Sequence, residues 1–186
     1  MAKVKLNPVM EQMRGKIGDL VFKRYEGEVI VSRKSNQTGG TPTAGQVAHR
    51  ERFRLAAVYA SDVFAVPVDK KLYEDAAKAR RKPTFAEGVG DYLNAPTIDV
   101  VDLAAYTGKV GDPIVIRASD DFEVVSVAVV IRTAQQGVLE QGPAALVQGA
   151  WRYVAQTALA PDQPVAIDVT ATDRPGNKTM KTITKS

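Results

Sequence analysis

The chain has one imidazole, His49, and no cysteine. Catalysis by proton transfer or nucleophilic attack needs a base, a nucleophile and a group that orients the base. His49 is flanked by Arg50, Glu51 and Arg52, and no serine stands in a Gly-x-Ser-x-Gly setting. His49 reads as a surface residue on a charged helical face, and no catalytic residue is assigned. The absence of thiols removes disulfides, thiolate metal centres and a cysteine nucleophile together. Gly15, Gly18 and Gly27 invite comparison with a phosphate-cradling loop. They precede a strand rather than a helix, so no helix N-terminus waits to receive an anion, and they read as turn formers.

Two further residue classes could bind something. Asp99, Asp102, Asp112, Asp120, Asp121, Asp168 and Asp173 fall in the second half, where loop aspartates could supply some of the 6–8 oxygens that calcium takes. Aspartate is equally a turn residue, and the spacing matches no EF-hand loop. Asp120 and Asp121, read as neighbours on a strand, would face opposite ways. The sequence assigns no metal ligand and no cofactor. Basic clusters at Arg14/Lys16, Lys23/Arg24, Arg33/Lys34, Arg50/Arg52/Arg54 and Lys78/Arg80/Arg81/Lys82 could track a nucleic-acid backbone. Arg50, Arg54, Arg80, Arg81 and Lys82 are the candidate contacts. The aromatics are mostly spent on apolar stripes, which leaves no stacking platform, and a solvated charged face is favoured over this alternative.

The elements that must position these groups follow from composition and pattern. Over 186 residues, 45% are hydrophobic and 25% charged, which fits folded protein and not a disordered, collagenous or coiled-coil chain. Residues 1–95 carry 17 Lys+Arg against 11 Asp+Glu, a net of +6; residues 96–186 carry 8 against 10, a net of −2. Residue usage changes at the same place, from Ala-rich charged stretches to Val/Ile runs broken by Gly, Pro and Asp. Asn94-Ala95-Pro96 is the natural joint, because the residue before a proline is pushed out of helical geometry. The reading is two domains, 1–95 and 96–186. No apolar run approaches the roughly 20 residues that span a bilayer, and the N-terminus lacks a signal-peptide core. No membrane partner is expected, and the location is read as cytoplasmic or virion-associated.

Seven short segments fill the second half: 98–103, 113–119, 124–133, 138–142, 150–157, 164–173 and 178–184. Turn signals recur every 8–12 residues or so, as in an all-β sandwich. Val125/Val127/Val129/Ile131, Ile114/Ile116/Ala118 and Val165/Ile167/Val169/Ala171 each alternate with period two and mark a buried face. Trp151 and Tyr153 are the candidate core anchors. The size and strand number predict an Ig-like or fibronectin-like sandwich.

The first half predicts an α+β module. Asn7-Pro8 opens a short helix that Gly15 stops. Residues 17–25 and 28–33 form a hairpin turning at Glu26-Gly27. A polar loop over 35–43 ends in a Thr43-x-x-Gln46 capping box at the head of a long helix. Phe53, Ala56, Ala57, Ala60 and Phe64 make its apolar stripe. Asp69 caps a second helix carrying Leu72, Tyr73, Ala76 and Ala77. Residues 84–93 read as a turn or two of helix, weakened by Gly88 and Gly90. The hairpin is apolar on both faces, with Leu20 and Phe22 on one and Val21 and Tyr25 on the other. The long helix can cover one face through Phe53, Ala56 and Ala60. The other face and the strand edges call for another chain. Leu20, Val21, Phe22, Tyr25, Val29 and Val31 are the candidate assembly interface.

The stretch Gly15-Lys16-Ile17-Gly18-Asp19-Leu20-Val21-Phe22, then Gly27, residues 29–33, and Thr41-Pro42-Thr43-Ala44-Gly45-Gln46 with Arg50, Arg52 and Phe53, resembles a hairpin-plus-helix element. Such elements occur in uncharacterised phage- and prophage-associated proteins and related bacterial proteins. Ala171-Thr172-Asp173-Arg174-Pro175-Gly176-Asn177 is similar to the closing turn of bacterial Ig-like modules. The resemblance implies a virion-associated or assembly protein and transfers no active-site residue. The expected role is a non-enzymatic structural subunit that self-associates or joins other structural subunits. The alternative is a binding module, contacting nucleic acid through the basic half or a glycan or surface ligand through the sandwich loops.

Overall fold

Short runs of β-branched residues between Gly-containing turns favour strands over helix near the N-terminus. The computed structural model describes residues 2–3, 14–25, 28–34, 41–133, 135, 137–160 and 163–185. The chain divides into two compact units, Met1–Thr43 and Ala44–Ser186. In the first, β1 (Ala2–Lys3), β2 (Gly15–Ile17), β3 (Leu20–Tyr25) and β4 (Glu28–Arg33) form an antiparallel sheet in the order β1-β4-β3-β2. The expected single strand over 17–25 is in fact broken at Gly18-Asp19. Gly18 takes a φ of +57°, which suits the first central position of a two-residue hairpin loop. The expected two-stranded hairpin is thus flanked by a short strand on each side. The helix expected after Asn7-Pro8, the Glu26-Gly27 turn and residues 35–40 lie outside the described residues.

The second unit opens with three helices, α1 (Ala44–Phe64), α2 (Pro67–Arg80) and α3 (Thr84–Leu93). Helix α1 starts directly after Thr43, where the capping-box pattern placed its head. Ala56 and Ala60 are fully buried and pack with Val89 of α3, bordered by Phe64, Tyr92 and Leu93. The small-residue stripe therefore serves α3. Phe53, expected on that stripe, is 50% exposed, as is Leu72 of α2 at 45%. In α2, Pro67 takes the first helical turn and Val66 is the N-cap; Asp69, expected as the cap, lies inside that turn. Segment α3 is a full ten-residue helix rather than a turn or two. The glycine that argued against it permits the packing. A Cβ on Gly88 would meet Phe64 Cζ at 3.0 Å and Ala60 Cβ at 3.2 Å, so only glycine lets α1 and α3 approach this closely.

Three residues, Asn94 to Pro96, lead from α3 into eight strands: β5 (Thr97–Asp102), β6 (Pro113–Ser119), β7 (Val124–Thr133), β8 (Val138–Pro143), β9 (Ala145–Val147), β10 (Ala150–Val154), β11 (Val165–Asp173) and β12 (Lys178–Lys185). They form two antiparallel four-stranded sheets, β5-β6-β10-β9 and β12-β11-β7-β8. Ile98, Ile114, Ile116 and Tyr153 of the first meet Val127, Val129, Ile131, Ile167 and Val169 of the second in one core. Period-two alternation produces this two-layer arrangement by turning one face of each sheet inward. Val125 departs from its set: it lies at the register shift opposite Thr172/Asp173 and is exposed. Tyr153 is buried in the core, whereas Trp151 is half-buried at its margin. Strand β9 was not expected; it turns into β10 through Gln148 and Gly149, both at positive φ.

The helices and the two sheets belong to one compact unit, where the sequence placed a domain boundary near residue 95. The change of residue usage marks a change from helix to strand, while side chains distant in sequence tie the two parts together. Among the described residues no helix is long and apolar enough to cross a membrane.

Candidate functional site

The tie between helices and sheets is built around Tyr73. Its ring is fully buried, stacked nearly parallel on Phe122 at 4.1 Å between centroids and set edge-on to Phe64 at 5.6 Å. Its hydroxyl donates a hydrogen bond to Asp91 Oδ2, and the Tyr59 and Tyr73 hydroxyl oxygens are 2.9 Å apart. The α2 register brings Tyr73 to this point because it shares a helix face with Ala77, also buried. Arg174, in the β11–β12 turn, pairs with Asp69 of α2 and reaches Glu123 at 3.5 Å. Asn177 Nδ2 in the same turn donates to the carbonyls of Tyr92 and Asn94 at 3.1 Å each, occupying acceptors that the end of α3 leaves open.

Three carboxylates meet at this junction. Asp91 projects from the last turn of α3 and is 1% exposed. Asp120 and Asp121 come from the β6–β7 loop, half-buried. One carboxylate oxygen of each lies within 4.8 Å of one from each of the others. The expectation that Asp120 and Asp121 face opposite ways on a strand fails, because β6 ends at Ser119 and both sit on a loop. One oxygen of each group is held by donors. Asp91 Oδ2 takes the Tyr73 hydroxyl, Asp120 Oδ2 takes the Phe122 and Glu123 backbone amides at 3.0 Å, and Asp121 Oδ2 takes the Asn94 side-chain Nδ2 at 2.7 Å. The Oδ1 atoms of all three are buried with no hydrogen-bond partner.

Such crowding raises proton affinity. Burial, opposed by the Tyr73 hydrogen bond and reinforced by the charges of Asp120, Asp173 and Asp121, pushes the Asp91 pKa up to about 7. Burial likewise raises Asp173, against the hydrogen bonds it accepts from Asn177 and Gly176. Burial and the bond to Asp91 hold the Tyr73 hydroxyl protonated well above the usual phenol range. The remaining aspartates mostly clamp turns. Asp112 accepts from the backbone amides of Lys109 and Thr107, which lower its pKa, and Asp102 accepts from Ala104. Asp168 is different: buried in β11, it pairs with Arg132 and accepts from Thr182 Oγ1 at 2.6 Å.

The residues singled out from sequence lie elsewhere. Of the assembly set, Phe22 and Val29 are buried, Val21 and Val31 half-buried, and Leu20 is 42% exposed. Tyr25 ends β3, and its side chain is outside the described residues. The basic set does not form one free patch. Arg54 makes a bidentate pair with Glu51, and Arg80 and Lys82 both neutralise buried Glu87. Arg81 takes the left-handed conformation that closes α2, and Arg50 is exposed near the start of α1. His49 is exposed beside it. Asp91 carried no sequence signal beyond its place between Gly90 and Tyr92; Tyr73 was visible only as an apolar-stripe member. No family model, curated protein or solved structure matches the chain.

Proposed function

We propose that the chain is a non-enzymatic structural subunit, phage- or prophage-related, whose N-terminal sheet pairs with a second copy of itself. The observation that carries this reading is the pair Ile17 and Leu20. They are directly opposite one another across β2 and β3, and are 55% and 42% exposed. The sheet edges supply the rest of the argument. Among the described residues, β2 covers only Leu20 to Phe22 of β3, and β1 covers only Ile30 and Val31 of β4. Among the described residues the outer edges of Lys23 to Tyr25 and of Ser32 and Arg33 meet no strand, and such edges recruit one. The likeness of residues 15–53 to elements in phage-associated proteins supports the assembly setting.

The β unit is read as an Ig-like domain. Lettered in chain order with β8 as C′, its sheets run A-B-E-D and G-F-C-C′, the strand order of that fold. The nucleic-acid alternative loses support because Arg54, Arg80 and Lys82 are already paired with carboxylates.

Size-exclusion chromatography with light scattering tests the proposal. The native chain is expected at a multiple of 20.0 kDa, and the double variant Ile17→Glu/Leu20→Glu at 20.0 kDa with unchanged circular dichroism. Both positions are exposed, but two glutamates directly opposite one another repel, so the change should cost about 1 kcal/mol of folding stability. A native monomer at high micromolar concentration, or a variant that still assembles, would contradict it.

A further inference from the structure

We propose that the junction of α3 with the β6–β7 loop is a calcium site, with Asp91, Asp120 and Asp121 as its carboxylate ligands. The cluster combines two features that a merely structural acidic patch lacks. Its donors are divided: on each carboxylate, hydroxyl, amide or backbone N–H groups hold Oδ2, while Oδ1 is buried and unpartnered. And Asp91, the innermost, is almost wholly buried, so water cannot freely serve its open oxygen. A buried acceptor left unmade is costly, more so when charged, and one stands on each of these three neighbouring carboxylates. Among the described residues none of the three carboxylates makes an ion pair. A proton shared between two oxygens relieves one repulsion; a divalent cation would answer all three carboxylates at once.

The donor chemistry selects the ion. Only hard carboxylate oxygens converge here, which suits calcium, magnesium or manganese; zinc and copper sites draw on imidazole or thiolate. The chain has no cysteine, and its one histidine is exposed on α1. Opposed ligands of a calcium ion stand about 4.8 Å apart, twice a bond of ~2.4 Å, so three oxygens within 4.8 Å of one another fit its sphere. Magnesium demands a tighter octahedron and parts with its water reluctantly. With three protein ligands, and water completing the sphere from the side of the half-buried Asp120 and Asp121, the affinity belongs with weak modules, at a Kd of about 10⁻⁴ M. Occupancy joins the last turn of α3 to the loop that carries Phe122, and so reinforces the contact around Tyr73.

Full-length protein stripped with chelator is titrated with CaCl2 by calorimetry, and its melting is followed in chelator and in about 10 mM CaCl2. The expected result is a rise of roughly 5–10 °C with calcium and a smaller one with magnesium. Terbium at the site should be sensitised by Tyr73 and Tyr59 and displaced by calcium. Asp121→Asn and Asp120→Asn, both on the loop, should each weaken binding at least about tenfold; Asp91→Asn should abolish it. Should Asp91→Asn fail to fold, the loop variants and the native protein decide alone. Melting that is identical with and without calcium, or calcium binding undiminished in both loop variants, overturns the proposal.

Discussion

Replacing Tyr73 by alanine is expected to destabilise the Ala44–Ser186 unit by about 4–5 kcal/mol. The side chain is fully buried, and its ring fills the space between Phe64 of α1 and Phe122 of the β6–β7 loop. Aromatic-to-alanine changes in cores typically cost about 3–5 kcal/mol through lost burial and the cavity left behind. Loss of the hydroxyl also deprives Asp91 Oδ2 of a donor. Tyr73→Phe isolates that second part and should cost about 1–3 kcal/mol. Because Tyr73 joins helices to sheets, the alanine variant should lower the unfolding midpoint of both together. Denaturant titration followed by helical circular dichroism and by Trp151 fluorescence reads the two parts separately. Coincident, shifted transitions are expected. A shift in the helical signal alone would show that the sheets do not depend on the junction.

Ile167→Ala should cost a similar amount, about 4 kcal/mol, by a different route. Ile167 lies on β11, the strand between β7 and β12, and faces Ile131 on one side and Ile183 on the other. Ile131 and Ile167 are fully buried, so no solvent or flexible neighbour can fill the vacated volume. Ile183, on the edge strand β12, is only partly buried, and Ile183→Ala should cost about 1–2 kcal/mol. The gradient along one rung is the informative quantity. Equal losses at both positions would mean that β12 is buried as deeply as β11, contrary to the sheet order. The two measurements share a denaturant series.

The legible parts of the fold are those governed by local periodicity. Strands at 113–119 and 124–133 coincide with the runs that alternate Val and Ile, because a half-buried strand imprints period two on its own sequence. The long helix was legible from its cap and its apolar stripe. Strand β9 was not, since three residues after a Gly-Pro pair are too few to show alternation. Helix α3 was under-read for a tertiary reason: Gly88 lowers helix propensity yet permits the contact with Phe64 and Ala60. The boundary near residue 95 misled because composition records secondary structure and not cohesion. What holds the two parts together is the pairing of Arg174 with Asp69, 105 residues apart, and of Asn177 with the carbonyls of Tyr92 and Asn94.

The acidic site was hidden for the same reason. Asp120 and Asp121, weighed as strand neighbours, would point apart, but they fall between the strands at 113–119 and 124–133, and a loop lets both carboxylates reach one place. Asp91 arrives from an element some thirty residues earlier that reads from sequence as only a turn or two of helix. A cluster assembled by tertiary packing leaves no spacing motif in the chain. The apolar hairpin is the opposite case: its residues were legible, and the fold then divided them. Phe22 and Val29 are already covered, so the surface that remains for a partner narrows to Ile17, Leu20 and the strand edges.

Hydrogen exchange of the full chain at low and high protein concentration bears most directly on the assembly role. If a second copy completes the N-terminal sheet, backbone amides of residues 20–25 and 28–33 slow as concentration rises, while those of β7 and β11, buried within each copy, exchange at the same rate throughout. Equal exchange of the N-terminal amides across a hundredfold range of concentration would contradict self-association through this sheet.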